Sequence, residues 1–495
     1  MLDPQKIAQL RAQPVAPQQL LIDGAAQPAE GGAVMECQSP IDGSVLTTLA
    51  RASAADVDRA IASGRMAFED GRWSGMPPAA RKAVMHRWAN LVEANALELA
   101  VLGVRDNGTE INMAIKAEAF SAAATLRYYA ESIDKLYGEI APTDASVLGL
   151  VHHEPVGVVG AIVPWNFPLM IGAWKLGPAL ALGNSVVLKP AETASLSLLR
   201  LAELGHEAGL PPGVLNVVTG QGAVAGRALG LSMDVDVLVF TGSGPVGRKL
   251  LEYSAASNLK RVYLELGGKS PNIVFADTAD IDQAAQVAAG GIFRNSGQVC
   301  VAGSRLLVQS QIKEAFLEAL SRHTKAMQVG DPLELSSHIG AVNSARQLQQ
   351  NLRFVDQAVA EGAKLWLGGK QILQDSGGFY MEPTIFADVD PQSALAQQEV
   401  FGPVLAVTSF ETEDEAIALA NGTPYGLAAG VWTRDLSRAH RMVRALRAGV
   451  VHVNTYGGPD VTVPLGGFGQ SGNGHDKSLH AFDKYRNLKT AWIAL

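Results

Sequence analysis

From about residue 150 the chain alternates short, β-branched apolar runs with longer segments rich in Ala and Leu. The runs GVVGAIVP (157–164), SVVLKP (185–190), VLNVVTG (214–220), DVLVF (236–240), VYLEL (262–266) and NIVFA (272–276) predict strands. They are nearly continuous in apolar residues rather than alternating, the pattern of strands buried on both faces of a parallel sheet. Between them, LMIGAWKLGPALAL (169–182) and SLSLLRLAELGHEAG (195–209) predict helices, and Gly209 with Pro211 and Pro212 stops the second. A second set starts near residue 270. It runs through the helical DIDQAAQVAAGGIF, the loop NSGQVCVAGS (295–304), the strand RLLVQ (305–309) and the helical IKEAFLEALSRHTKAM. Residues 53–131 read as mostly helical, and the closing KYRNLKTAWIAL predicts a strand that pairs with another element or subunit. The fold class is therefore α/β, with helices over both faces of parallel sheets.

Composition narrows the function more than the fold. A chain of 495 residues exceeds one ordinary core, so two or three domains are expected. A net charge of −8 argues against nucleic-acid and membrane-surface partners. No apolar run reaches the ~18 residues of a membrane span, since Lys175 interrupts the best candidate, and the N-terminal residues lack the apolar core of a signal peptide. A cytoplasmic protein is expected. Two cysteines build no disulfide framework, and no Cys/His spacing matches a metal site, so no metal is expected. The adjacent His152 and His153 would point to opposite faces of a strand.

The chemistry-bearing motifs sit at strand ends. GSGPVG (242–247) follows the strand DVLVF and precedes a helical segment, which places backbone N–H groups where a phosphate could approach. A dinucleotide fingerprint also wants an acid on a ribose. Two residues compete for that role, Glu265, about 20 residues beyond the glycines, and Glu192 in KPAE (189–192), beside Lys189. A carboxylate on the adenosine ribose favours NAD over NADP, whose phosphate it would repel. Cys300, in the small-residue loop, reads on its own as a buried hydrophobe, as does Cys37.

Several motifs together change that reading. PWNFPL (164–169), KPAE, FTGS (240–243), LELGGKSPNIV (264–274), GQVC (297–300), EVFGPV (399–404), PYGLAAGVWTRD (424–435) and FGQSGNG (468–474) resemble those of the aldehyde dehydrogenase superfamily. The likeness runs from LLIDG (20–24) to the C-terminus. VWTRDLSRAHRM (431–442), SGNGHDKSLHA (471–481) and LKTAWI (488–493) look closest to dehydrogenases of γ-glutamylaminobutyraldehyde and guanidinobutyraldehyde.

The resemblance implies a Rossmann-type NAD domain (1–127 and 151–265), an α/β catalytic domain (266–478) and a small β oligomerisation element (128–150 and 479–495) of a dimer or tetramer. It implies Cys300 as nucleophile, Asn166 as oxyanion donor and Glu265 as general base, with Lys175 and Asp476 in proton relay. For the cofactor, NAD, it implies Trp165, Lys189, Glu192, Gly242, Ser243, Gly247, Glu399 and Phe401. For the substrate it implies Phe167, Trp174, Tyr456 and Asp460, with Glu118 and Asp106 on a helical segment covering the entrance. Aromatic faces with carboxylates suit a cationic amino or guanidino tail. Three alternatives stand beside this: a broad-specificity or betaine aldehyde dehydrogenase, an enzyme passing its acyl group to coenzyme A, and a non-catalytic NAD-binding protein. The chain departs from the family pattern at Ser243-Gly244-Pro245, at DNGTE (106–110), and at Gly469 and His475.

Overall fold

The first five predicted strands lie side by side in one sheet, and the sixth, NIVFA, opens the second. The structure, a computed structural model, describes residues 2–458 and 460–495. Five parallel strands, β1 (Val158–Ile162), β2 (Ser185–Lys189), β3 (Leu215–Val217), β4 (Val237–Thr241) and β5 (Arg261–Glu265), follow the spatial order β5-β4-β1-β2-β3. The short strands Leu20–Ile22 and Ala25–Gln27 extend the β3 edge. Every residue of β1 and β2 is buried, which is why these runs carry no alternating polar positions. The order reverses between β1 and β4, so this sheet has the switch point at which open α/β sheets bind ligands. Register places the carboxyl ends together: Ile162 pairs with Lys189 and Phe240, and Thr241 pairs with Glu265.

A second parallel sheet holds β6 (Pro271–Val274), β7 (Arg305–Gln309), β8 (Thr384–Ala387), β9 (Val404–Phe410), β10 (Ala428–Trp432) and β11 (Val450–Val453), in the order β8-β9-β7-β6-β10-β11, with Lys364–Leu367 antiparallel at the β8 edge. Only the short LGGKS link joins β5 to β6, so the ends of the two sheets meet near Glu265.

Five helices position the site: α1 (Ser121–Ser132), α2 (Pro168–Ala181), α3 (Leu196–Glu207), α4 (Gly244–Ala255) and α5 (Ile281–Phe293). α1 and α2 pack inside the large core over the first sheet, where Tyr129 meets Phe482 edge to face at 5.3 Å. The C-terminal residues Arg486–Ala494 pair antiparallel with Val147–Pro155 along their whole length, and Glu139–Ala141 closes a three-stranded sheet. Its Leu488 and Trp492 are about two-thirds exposed. No helix among the described residues is long and apolar enough to cross a membrane.

Candidate active site

The cysteine loop is built to hold one shape. Asp280 caps the N-terminus of α5 by accepting the Gln283 N–H. Beyond the helix, Asn295, Ser296 and Gly297 take left-handed backbone angles in succession. A Cβ on Gly297 would stand 2.1 Å from the Gly402 carbonyl oxygen, so only glycine fits there. Non-glycine residues in this region cost roughly 1 kcal/mol each or more, and the surroundings must hold them. They do so from several sides. The Asn295 N–H donates to the Glu110 carboxylate, Thr109 donates to Asn295 Oδ1 at 2.8 Å, and Ser296 donates to the Gly340 carbonyl. Asn166 Nδ2 then donates to the Gln298 carbonyl at 2.9 Å, which ties the loop to the start of α2. None of Glu110, Asn295 and Gln298 stands out as a site residue in the sequence; the run Asn-Ser-Gly was the one signal of a strained turn.

Cys300 is partly exposed at the end of this loop. Burial of the thiol, then the charges of Glu399 and Glu265, push its pKa up to about 12, so the thiol of the free protein carries its proton at neutral pH.

Glu265 closes β5 and is bridged to Gly472, while Leu266 donates to the Ser471 carbonyl at 2.9 Å. Residues 471–474 thus run as an extra edge along β5. A Cβ on Gly474 would come within 3.1 Å of Glu265 Oε1, a buried oxygen with no protein partner. Burial first, then the charge of Asp476, raise the Glu265 pKa well above the usual carboxylate range, against the pull of Lys175 and Lys484. Lys175 donates to Asp476 Oδ2 at 2.5 Å and Lys484 donates to Oδ1. Burial works against the Asp476 charge, yet the two ammonium groups hold its pKa below the ordinary value. Glu265 therefore belongs to this cluster and to Cys300, and Glu192 remains the ribose candidate.

The candidate cofactor residues line the carboxyl ends of the first sheet. Lys189 is buried at the end of β2, donates to the Pro190 carbonyl and lies 3.7 Å from Glu192. Glu192 in turn accepts the Gly222 N–H. Gly242 and Ser243 link β4 to α4, whose first turn contains Gly247 and accepts Pro245 without losing a helical hydrogen bond. The departure at Ser243-Gly244-Pro245 therefore starts the helix instead of disturbing it. Ser243 makes no capping bond, and the nearby Thr241 hydroxyl is buried without a partner. Open N–H groups, an orphaned hydroxyl, a buried lysine and a carboxylate make a donor set that fits the diphosphate and ribose of a dinucleotide. Glu399 accepts the Gly268 N–H at 3.1 Å, and burial lifts its pKa to about 7. Trp165 meets Phe401 edge to face at 5.2 Å.

The expected substrate residues divide. Phe167 precedes α2 and Trp174 lies within it, both buried, with the Lys477 ammonium 5.7 Å from the Trp174 ring. Tyr456 donates to the Val301 carbonyl at 2.8 Å and so braces the cysteine loop from below. Asp460 is exposed and accepts the Thr462 N–H; Pro459, in the same NTYGGPD loop, lies outside the described residues. Glu118 and Asp106 do not stand at an exposed entrance. Both are buried, with pKa values lifted to about 8 by burial. Glu118 Oε2 accepts the Met170 N–H at 2.7 Å in the first turn of α2, and Asp106 Oδ2 accepts the Leu196 N–H at 2.9 Å at the start of α3. Each satisfies an N–H that a helix start leaves open.

The sequence profile of the aldehyde dehydrogenase family matches residues 27–491. The chain is 50% identical over 476 residues to the NADP/NAD-dependent aldehyde dehydrogenase PuuC of Escherichia coli, covering 96% of this chain and 95% of that one. A solved indole-3-acetaldehyde dehydrogenase complexed with NAD+ superposes with a TM-score of 0.98 at 51% identity, covering 100% of both chains. A γ-glutamyl-γ-aminobutyraldehyde dehydrogenase from Burkholderia cenocepacia does so with the same TM-score and coverage at 49% identity.

Proposed function

The chain belongs to the aldehyde dehydrogenase family, and on that premise we propose that Cys300 is the nucleophile of its NAD-dependent oxidation of aldehydes, with a preference for substrates bearing an ω-amino, γ-glutamylamino or guanidino tail. The observation that carries the reading is that Asn166 binds the Gln298 carbonyl, two residues before Cys300, while the Glu265 charge acts on the Cys300 thiol. Glu265, when ionised, takes the thiol proton, and the thiolate adds to the carbonyl carbon. The carbonyl electrons move to oxygen, which the second Asn166 amide hydrogen and the Cys300 N–H receive. NAD+, when bound beside Cys300, would be the two-electron oxidant to which the adduct gives its hydride. What remains on Cys300 is a thioester. Glu265 releases the thiol proton to solvent and then takes a proton from water, whose oxygen attacks the acyl carbon; the C–S bond breaks, the acid departs, and the proton on Glu265 returns to the Cys300 sulfur.

Lys189 and Glu192 would hold the adenosine ribose, Ser243 with Gly242 and Gly247 the diphosphate turn, and Glu399 the nicotinamide ribose, with Trp165 and Phe401 along the cleft. The Glu192 carboxylate would disfavour the NADP phosphate. We divide the chain as NAD-binding unit 1–127 and 151–265, thiol-bearing unit 266–478, and an assembly element in 128–150 and 479–495. The exposed Leu488 and Trp492 on its sheet fit a second copy of this chain in a dimer or tetramer. A cytoplasmic setting would keep the Cys300 thiol reduced.

Asp460 supports the cationic tail; the Lys477 ammonium over Trp174 favours a second reading, a neutral or anionic aromatic aldehyde. The test is NADH formation from aminobutanal, guanidinobutanal, betaine aldehyde, hexanal and an arylacetaldehyde, with NAD+ and NADP+, beside Cys300→Ala. A lead of about tenfold in kcat/KM for the cationic aldehydes, about 1.4 kcal/mol of transition-state binding, supports the tail assignment. A lead for hexanal or the arylacetaldehyde overturns it.

A further inference from the structure

Lys484 takes no part in the chemistry above, yet it is buried against it. Its side chain is 4% exposed, and it shares the Asp476 carboxylate with Lys175, one ammonium on each oxygen. Two lysines on one carboxylate leave an excess positive charge in a dehydrated place, which is costly unless another group balances it. The groups facing Asp476 from the elements packed around it are Lys175 of α2, Lys484 and Tyr485 of the closing turn, Tyr129 of α1, Lys477 beside it and Glu265 of β5. Burial holds the two tyrosine hydroxyls in their neutral form, which leaves Glu265 as the group able to supply the missing negative charge.

We propose that Lys484 is a positioning residue for the base: with Lys175 it fixes Asp476 and leaves a positive charge that Glu265 balances by ionising. The inference rests on Glu265 being the base. Without Lys484, Lys175 and Asp476 neutralise each other, Lys477 is shared with Asp460, and an ionised Glu265 loses its nearest compensation. Lys484 also lines a surface cleft with Gly474, His475, His480 and Asp483, and a Cβ on Gly474 would press within 3.1 Å of Glu265 Oε1. Truncating the side chain in Lys484→Ala would open the position of the lysine head towards this cleft.

The experiment is the pH profile of kcat for the full enzyme and for Lys484→Met, Lys484→Arg, Lys484→Ala and Glu265→Gln. Opposite charges at close range move a carboxyl by one pH unit or more. Lys484→Met is expected to shift the acidic limb up by about one pH unit, losing about tenfold on the limb while approaching the parent rate on the alkaline plateau. Lys484→Arg is expected to keep the limb in place, and methylammonium is expected to restore Lys484→Ala on the limb about threefold or better. A limb that stays put in Lys484→Met, or a profile that falls equally at every pH, overturns the proposal while leaving the base assignment standing. If the residual activity of Glu265→Gln keeps the parent limb, the limb belongs to another group and both assignments fall.

Discussion

Asn166→Ala separates a structural role from a catalytic one. In the structure the Asn166 amide donates one hydrogen to the Gln298 carbonyl at 2.9 Å. That carbonyl keeps a second, longer contact from Asn295 Nδ2 at 3.4 Å, so truncation leaves it partly served. The structural loss is then about 1 kcal/mol, that of one ordinary hydrogen bond. For a chain of this length, with an unfolding entropy of about 2 cal/mol/K per residue, this lowers Tm by only about 1 °C. The catalytic loss is larger, because a donor aimed at a developing oxyanion contributes roughly 3–4 kcal/mol, about 10²–10³ in kcat. The assay pairs kcat and kcat/KM on the best aldehyde with Tm by scanning fluorimetry and with the alkylation rate of Cys300. A fall of two to three orders of magnitude in kcat with Tm and alkylation nearly unchanged is expected. A fall under about tenfold would refute the oxyanion assignment, and so would a loss of alkylation matching the loss of turnover.

Other consequences follow from the same geometry. Glu399 is the first charge raising the Cys300 thiol, so Glu399→Gln is expected to speed iodoacetamide alkylation several-fold at pH 8–9; an unchanged rate would mean that burial alone holds the proton. Glu118 has a folded-state pKa near 8, above its unfolded value, so the folded chain keeps a proton that the unfolded chain releases. Its contribution to stability is present at low pH and is lost as pH rises to about 8. Glu118→Gln should therefore match the parent Tm near pH 5 and exceed it by a few degrees at pH 8.5, and a constant offset at both pH values would contradict this. A Cβ on Gly267 would stand 1.9 Å from Glu399 Oε2, so Gly267→Ala must displace that carboxylate. It is expected to raise KM for NAD+ about tenfold or more; an unaltered KM and kcat would remove Glu399 from the cofactor site.

The sheets were legible because strands buried on both faces are written as unbroken apolar runs. The six apolar runs between residues 157 and 276 all occur as strands with ends within three residues of those predicted, and RLLVQ occurs at 305–309 as predicted. Cys300, Asn166 and Glu265 could be singled out through their motifs, though no local pattern says that Asn166 reaches the cysteine loop or that the Glu265 charge acts on its thiol. Glu118 and Asp106 show where sequence reasoning misses. A carboxylate on a helix reads as a solvated face, whereas these two turn inward to satisfy N–H groups 52 and 90 residues away. The resemblance implies Tyr456 as a substrate residue; its hydroxyl reaches back across 155 residues to brace the cysteine loop. Lys484 sits eight residues beyond Asp476, a separation with no helical or strand meaning until the turn Leu479–Lys484 folds it back.

A covalent route through Cys300, completed by Glu265, is best probed by a single turnover of Glu265→Gln with NAD+ and saturating aldehyde at mildly alkaline pH, where loss of the Glu265 charge leaves a larger share of the thiol ionised. The expected outcome is a burst of NADH equal to the number of sites, a slow phase afterwards, and an acyl group found by peptide mass spectrometry on Cys300. A full-rate steady state without a burst, or an acyl group on any other residue, would rule that route out.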